Sequence, residues 1–247
     1  MEGTDAEGAA SGDGGADSAE AVASEGRGAA KTRALPEVVR CVVFDKDGVL
    51  VNTEPEHERR LRVYLGECGI DCSEMPCLYG SNNEATWNWV EPCDLERRER
   101  LYQGFRRRWH DEPIPYAQLL DPEAPALLRT LRAAGLRVGL ASSSPAWVIE
   151  GFLRATRLLG QFDAVLSGEQ CPATKPAPDV YLEVMGELGV RPAETVVVED
   201  SPTGILAAHR SGAFTCAVPL PKGVELDQSL ADARLSSLGA LAGLLGL

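Results

Sequence analysis

Two aspartates on either side of a lysine, Asp45 and Asp47, are the residues of this sequence best suited to do chemistry. They follow an apolar run at 38–44, VVRCVVF, which predicts a strand buried on both faces. Because residues two apart on an extended backbone point to the same side, both carboxylates are expected to face one site. Two negative charges packed together are unfavourable unless they share a proton or a cation. The pair therefore predicts a metal ion or a raised pKa.

A second acidic pair, Glu199 and Asp200, ends another apolar run, TVVVE at 195–199. Carboxylates are poor residues for a buried core but good oxygen ligands for Mg²⁺. The dipeptide Ser201-Pro202 that follows predicts the start of a helix. The second pair therefore indicates further metal ligands at a strand end.

Three serines, Ser142, Ser143 and Ser144, follow a third apolar run and precede Pro145. One interpretation is an ordinary helix start with Ser144 as the N-cap. The other is a phosphate site, because a helix start offers N–H groups and hydroxyls to an anion. Both interpretations remain open from the residues alone.

Lys175 follows a fourth apolar run and lies close to two prolines, Pro176 and Pro178. A single lysine is most often a solvated surface charge. The prolines stiffen the backbone beside it, however, and would hold its ammonium group in place. This favours a fixed cation over a surface charge.

The pattern Asp-x-Asp has other interpretations. A calcium-binding EF-hand loop would need a ligand and a glycine where this sequence has Val49 and Leu50, and no buried strand would precede it. An ordinary acidic turn after a strand is possible for the motif taken alone. The two acidic pairs, the three serines and Lys175, however, all follow the ends of predicted strands. Their common position favours one shared site.

Apolar runs alternate with helical patterns along the chain. Strands are predicted at 38–44, 136–141, 162–167, 195–199 and 214–218. Helices are predicted at 122–134, 146–159, 178–188 and 202–211. The alternation predicts an α/β fold, a Rossmann-like parallel sheet with right-handed crossovers and helices on both faces. In such sheets, ligands bind at the carboxyl ends of the strands.

The segment at 57–119 interrupts this alternation. Its apolar residues recur at helical spacing, and it contains no convincing strand. We expect it to form a small helical cap domain inserted between two parts of the core, 36–56 and 120–247. Residues 1–35 are mainly Gly, Ala, Ser, Asp and Glu. We expect them to form a disordered tail, because they cannot bury enough apolar surface to offset their ordering entropy.

Composition and charge narrow the functional classes. The net charge of −13 argues against a dedicated nucleic-acid-binding protein, which would present a basic surface. No apolar run approaches the roughly 20 residues of a membrane helix, and the first residues lack the features of a secretory signal. The seven scattered cysteines favour reduced thiols over disulfides. We expect a cytoplasmic monomer with no nucleic-acid or membrane partner.

Four segments carry a resemblance to a known family. They are DKDGVL at 45–50, LASSS at 140–144, KPAPDVY at 175–181 and VVVEDSPTGILAAHRSGA at 196–213. The residues of these segments and their order along the chain resemble the motifs of the haloacid dehalogenase-like superfamily, in particular its beta-phosphoglucomutase-like phosphatases. The resemblance covers most of residues 38–220, although the cap is similar only in kind.

The resemblance implies a role for each matching residue. Asp45 would attack phosphorus and form an aspartyl-phosphate. Asp47 would protonate the leaving oxygen and then deprotonate the incoming water. Ser142, Ser143 and Lys175 would hold the phosphoryl oxygens, where charge must be stabilised in the transition state.

The resemblance also implies a Mg²⁺ cofactor. The ion would be held by Asp45, by the backbone carbonyl of Asp47, and by Glu199 and Asp200. Its role would be to offset the repulsion between a carboxylate nucleophile and a phosphate dianion.

The cap is implied to recognise the substrate. His57 lies where the sugar-phosphate mutases of this group also carry a histidine, although a histidine on a helix surface is the other interpretation. The segment at 78–84 resembles the cap loop that recognises the substrate in this group. It has Asn83 near the position where beta-phosphoglucomutase has an arginine. That difference disfavours a mutase.

Three functions remain open from the sequence. The first is a phosphatase that acts on a small phosphorylated metabolite such as a sugar phosphate. The second is an isomerase that moves phosphate within a hexose phosphate. The third is a catalytically silent binding scaffold, which the intact Asp45, Asp47, Lys175 and Asp200 disfavour, because a binding module has no need for this costly acidic cluster.

Overall fold

The computed structural model describes residues 33–80 and 83–247 of the chain. Its strands are β1 (Cys41–Phe44), β2 (Arg137–Ser142), β3 (Ala164–Ser167), β4 (Thr195–Glu199), β5 (Phe214–Ala217) and β6 (Ala233–Arg234). They form one sheet in the order β3-β2-β1-β4-β5-β6, and every neighbouring pair is parallel. The five strands predicted from apolar runs are all present, and the predicted α/β class is confirmed.

The central strands are covered on both faces. Every residue of β1, β4 and β5 is buried, as expected for strands that read as continuous apolar runs. Alternate residues of β1 point to opposite sides of the sheet. Val42 and Phe44 belong to one apolar cluster, and Cys41 and Val43 belong to the other.

Helices build these two clusters. In chain order they are α1 (Glu54–Glu67), α2 (Asn83–Val90), α3 (Leu95–Arg108), α4 (Tyr116–Leu119), α5 (Ala124–Ala133), α6 (Ala146–Ala155), α7 (Asp179–Leu188), α8 (Pro202–Ser211) and α9 (Ala240–Leu244). Leu128 of α5 and Phe152 of α6 pack on one face of the sheet, while Val184 of α7 and Ala207 of α8 pack on the other. Within the described chain, no helix has the length and apolar character needed to cross a membrane.

Helices α1 to α4 lie between β1 and β2 in the chain. The first three share an apolar cluster of their own, whose buried members are Leu61, Tyr64, Leu65, Met75 and Trp87. We propose that α1 to α3 form the body of the cap domain expected at 57–119, and that 36–56 and 120–247 form the core. Residues 1–32 of the predicted tail lie outside the described residues.

Candidate active site

A cavity of about 390 Å³ lies at the carboxyl ends of β1, β2 and β4, between the sheet and helices α1 to α3. The core contributes Asp45, Asp47, Ser143, Ser144, Pro145, Lys175, Glu199, Asp200, Ser201 and Thr203 to its lining. The helical segment contributes Glu54, His57, Glu58, Leu61, Leu78, Gly80, Thr86, Trp87 and Phe105. The four sequence segments expected to share a site therefore meet around one cavity.

Lys175 connects the two acidic pairs. Its Nζ donates to Oδ1 of Asp45 at 2.5 Å and to Oε1 of Glu199 at 2.7 Å. The hydroxyl of Tyr181 donates to the same oxygen of Glu199 at 2.6 Å. Burial alone would lower the pKa of Lys175, but the carboxylates of Asp45 and Glu199 hold that pKa well above its usual value. The lysine is therefore a fixed positive charge on the floor of the cavity.

Three buried carboxylates form a cluster that fits a divalent cation. Asp45, Glu199 and Asp200 each place an oxygen within 4.8 Å of the others. Burial is the main cause that raises the pKa of Asp200 to about 9 and that of Asp45 to about 7, and neighbouring carboxylates add to it. Burial opposes ionisation of Glu199 as well, but Lys175 holds its pKa below the usual value. When ionised, the three carboxylates carry more negative charge than the single ammonium of Lys175 can offset. Hard oxygen donors of this kind are the ligands that Mg²⁺ prefers.

Two glycines leave room for this cluster. Gly48 has a φ of +79°, and a Cβ at this position would overlap with the carboxylate of Asp200. A Cβ at Gly204, in the first turn of α8, would overlap with the carboxylate of Glu199. The glycines that follow each acidic pair therefore let the backbone approach the acidic side chains closely.

The carboxylate of Asp47 lines the cavity but is not part of the three-carboxylate cluster. Lys46 Nζ lies 2.9 Å from Oδ1 of Asp47, and the hydroxyl of Thr53 donates to the same oxygen at 2.6 Å. The hydroxyl of Ser144 donates to Oδ2 at 3.1 Å. Burial opposes ionisation of Asp47, yet the Lys46 ammonium and the Thr53 hydrogen bond hold its pKa below the usual value. Asp47 is thus held in place as a carboxylate.

The three serines after β2 have different surroundings. Ser142 is almost fully buried, and its hydroxyl accepts a hydrogen bond from the N–H of Ser144 at 3.1 Å. Ser143 and Ser144 line the cavity. The interpretation of Ser144 as an N-cap is wrong, because Pro145 is the N-cap residue of α6 and the Ser144 hydroxyl donates to Asp47 instead. Phosphate binding by Ser142 and Ser143 stays a prediction.

His57 lies on α1 and lines the helical side of the cavity. Burial lowers its pKa, so its imidazole is uncharged near neutral pH. In the predicted substrate loop at 78–84, Gly80 lines the cavity. The side chains of residues 81–83 lie outside the described part of the chain.

Three residues that contact the predicted site residues and hold them in place were not identified from the sequence: Lys46, Thr53 and Tyr181. Lys46 gave no signal of its own, because neighbours on a strand point to opposite sides, and its contact with Asp47 depends on the turn of the chain after β1 ends at Phe44. Thr53 had a usable signal, since it is a hydroxyl residue directly before a helix. Tyr181 had none, because its direction depends on how α7 packs on the sheet.

Known proteins resemble this chain over most of its length. Residues 39–212 match the family model described as haloacid dehalogenase-like hydrolase. Hexitol phosphatase B of Escherichia coli K12 is 33% identical over 216 residues, which cover 83% of this chain and 96% of that protein. A phosphorylated carbohydrates phosphatase of Thermotoga maritima is 31% identical over 180 residues, covering 70% and 82%. The crystal structure of CbbY from Rhodobacter sphaeroides in complex with phosphate aligns with a TM-score of 0.65 at 26% identity, covering 85% of this chain and 99% of that one.

Proposed function

The chain belongs to the haloacid dehalogenase-like hydrolases and is a phosphoric monoester hydrolase, and we propose that it hydrolyses a small sugar phosphate with Asp45 as nucleophile. One observation carries the proposal. The carboxylate of Asp45 lies beside Lys175 and two further carboxylates, at the floor of a cavity large enough for a small metabolite. Covalent catalysis of this kind divides one difficult displacement into two easier ones.

In the first step, a carboxylate oxygen of Asp45 bonds to phosphorus while the ester P–O bond breaks. Because Lys46 favours the ionised form of Asp47, the carboxylate must first take up a proton from solvent, and it then gives that proton to the leaving oxygen as general acid. The hydroxyls of Thr53 and Ser144, at 2.6 and 3.1 Å, support this role because they fix the position of the Asp47 carboxyl group. The step yields a free alcohol and an aspartyl-phosphate on Asp45.

In the second step, the Asp47 carboxylate takes a proton from a water molecule whose oxygen attacks phosphorus. The bond between Asp45 and phosphorus breaks, and inorganic phosphate is released. The ammonium of Lys46 supports this step because it favours the ionised form of Asp47. In both steps Lys175 and the serine loop at 142–144 stabilise the charge on the nonbridging oxygens.

Asp45, Glu199 and Asp200 hold Mg²⁺ in this proposal, together with the backbone carbonyl of Asp47. When bound, the ion offsets the repulsion between the carboxylate nucleophile and the phosphate dianion. The donor set supports this cofactor, since three buried carboxylates suit a hard cation better than a soft one.

A phosphorylated sugar or sugar alcohol is the proposed substrate. Hexitol phosphatase B and the phosphorylated carbohydrates phosphatase support it, because each resembles most of this chain. The side chains that line the cavity beyond the carboxylate cluster also support it. They combine apolar groups such as Trp87 with hydrogen-bonding groups such as His57, which suits a carbon chain that carries hydroxyls.

A screen of phosphorylated metabolites with Mg²⁺ tests the proposal, if inorganic phosphate and isomerised products are measured in the same reactions. We expect phosphate release from hexitol and hexose phosphates, and we expect EDTA to abolish it. Isomerisation of a hexose phosphate without phosphate release would instead identify a mutase. If the panel yielded neither product, the binding scaffold would be favoured.

A further inference from the structure

We infer that the cap-side wall of the cavity selects an uncharged, polyhydroxylated leaving group and rejects a second anionic group. The cap-side wall consists of Glu54, His57, Glu58, Leu61, Trp87 and Phe105. The inference rests on the proposed phosphatase function and specifies the substrate class of the same site.

Two carboxylates of the cap-side wall have no part in the proposed reaction. Glu54 and Glu58 lie one turn apart on α1, so they share a face of that helix, and both line the cavity. Glu54 accepts a hydrogen bond from the backbone N–H of Gly80. Glu58 forms an ion pair with Arg62 at 2.8 Å, but both side chains are about two-fifths exposed and screened by solvent. Burial raises the pKa of Glu54 to about 7, so an anionic group next to this wall would meet the negative charge of Glu58 and of the ionised fraction of Glu54.

The wall also offers no cation to a second phosphate or carboxylate, which would need one. Within the described chain, Lys175 is the only lysine or arginine that lines the cavity, and it already donates to Asp45 and Glu199. His57 is uncharged near neutral pH. The segment 81–83 reads Ser-Asn-Asn, so it adds no positive charge.

The remaining groups of the wall suit a carbon chain with hydroxyls. Trp87 and Phe105 pack edge-on, with ring centroids 5.6 Å apart, and together with Leu61 they present apolar surface. The carboxylates of Glu54 and Glu58 accept hydrogen bonds from hydroxyl groups. A polyol satisfies both requirements without bringing an unpaired charge into the cavity.

Two substrates that differ in one group test the inference. Glucitol 6-phosphate and 6-phosphogluconate carry a hydroxymethyl group and a carboxylate, respectively, at the end away from the phosphate. We expect kcat/KM to be at least about 10-fold higher for glucitol 6-phosphate. Glycerol 3-phosphate and 3-phosphoglycerate repeat the comparison with a shorter chain.

Variants assign the discrimination to the wall. Glu54→Gln and Glu58→Gln should each reduce the preference for glucitol 6-phosphate, and Glu58→Lys should raise kcat/KM for 6-phosphogluconate. Glu67→Gln is the matched control, because Glu67 is an exposed residue of the same helix that pairs with Arg108 and does not line the cavity. Its substrate preference should equal that of the wild type.

Equal kcat/KM values within both substrate pairs, or a preference for the carboxylates, would overturn the inference and leave the phosphatase function intact. Phosphate release from other esters but from neither uncharged compound would overturn it too. If no ester of any kind released phosphate, the proposed function itself would fail.

Discussion

The buried ammonium of Lys46 lies 2.9 Å from Oδ1 of Asp47, and it faces the rings of Tyr116 and Phe152 at 5.4 and 5.9 Å. An ammonium removed from water depends on such partners. Tyr116 belongs to α4, where the chain returns from the helical segment to the core. Lys46 therefore links the proposed general acid–base residue to one end of that segment.

We predict that Lys46→Met lowers kcat by about 10-fold or more with little change in KM, because Asp47 loses the charge that holds its carboxylate. Lys46→Arg keeps the charge and should retain more activity. Lys222→Met is the control, since Lys222 is exposed and does not line the cavity. Steady-state kinetics checks the prediction, and a wild-type kcat in Lys46→Met would contradict it.

Gly48→Ala should weaken metal binding, whereas Gly135→Ala should not. Both glycines have nearly the same φ, +79° and +80°, so the left-handed backbone alone should cost each alanine variant about 1–2 kcal/mol of unfolding free energy. Only at Gly48 would the new Cβ overlap with Asp200; at Gly135 it would meet nothing within 4 Å. We expect only Gly48→Ala to need a higher Mg²⁺ concentration for half-maximal activity, by about 10-fold. Identical Mg²⁺ titrations of the two variants would argue against Asp200 as a ligand.

The metal-free protein should lose stability as the pH rises. Folding raises the pKa of Asp200 from 3.8 to about 9 and that of Asp45 from 3.8 to about 7, so the folded state binds these protons more tightly than the unfolded state. Stability therefore falls as the pH rises from the unfolded toward the folded pKa. We expect the Tm in EDTA to fall from about pH 4 to about pH 9, and more steeply below about pH 7, where both groups contribute.

Two further measurements attribute this slope to the cluster. Asp200→Asn should flatten the pH dependence of the metal-free Tm above about pH 7, where Asp200 is the one of the two groups that still titrates, because an amide does not titrate. Mg²⁺ should raise the wild-type Tm most at the alkaline end, where fewer protons compete for the carboxylates. Parallel Tm profiles for the wild type and Asp200→Asn would contradict the assignment.

Tyr181→Phe should weaken Mg²⁺ binding by about 10-fold, because it removes the hydroxyl that donates to Glu199 at 2.6 Å. The ring, which lies 4.8 Å from Lys175 Nζ, is kept. Tyr64→Phe is the control, since Tyr64 packs among the helices and does not line the cavity. Activity measured across a Mg²⁺ titration checks the prediction. If Tyr181→Phe and Tyr64→Phe both required the same Mg²⁺ concentration as the wild type, this role of Tyr181 would be refuted.

The parts of the fold that could be predicted from sequence are those that carry their own pattern. Apolar runs indicated β1 to β5, and the helices between them began at turn residues such as Ser201, whose side chain accepts from the N–H of Gly204 as an N-cap. The strand β6 has only two residues and no apolar alternation. It is positioned by tertiary hydrogen bonds, among them those between Asp232 and the backbone of Thr215. A local pattern cannot report such contacts.

In the candidate site, too, the residues that could be predicted are those marked by a local sequence pattern, and the others depend on tertiary contacts. Asp45, Lys175 and Asp200 could be placed together because each follows a buried strand of one parallel sheet. The contacts of Lys46 could not, since they depend on the turn after β1 and on rings from α4 and α6. Strand ends are visible in a sequence, whereas side chains that meet across helices are not.

Detection of the covalent intermediate tests the central claim most directly. The reaction would be stopped with acid while the enzyme is turning over a sugar phosphate that it hydrolyses. The protein would then be digested, and the masses of its peptides would be measured by mass spectrometry. We expect the mass of one phosphoryl group on the peptide that contains Asp45, and no such adduct or turnover in Asp45→Asn. A phosphoryl group on a different residue, or undiminished turnover by Asp45→Asn, would contradict the account.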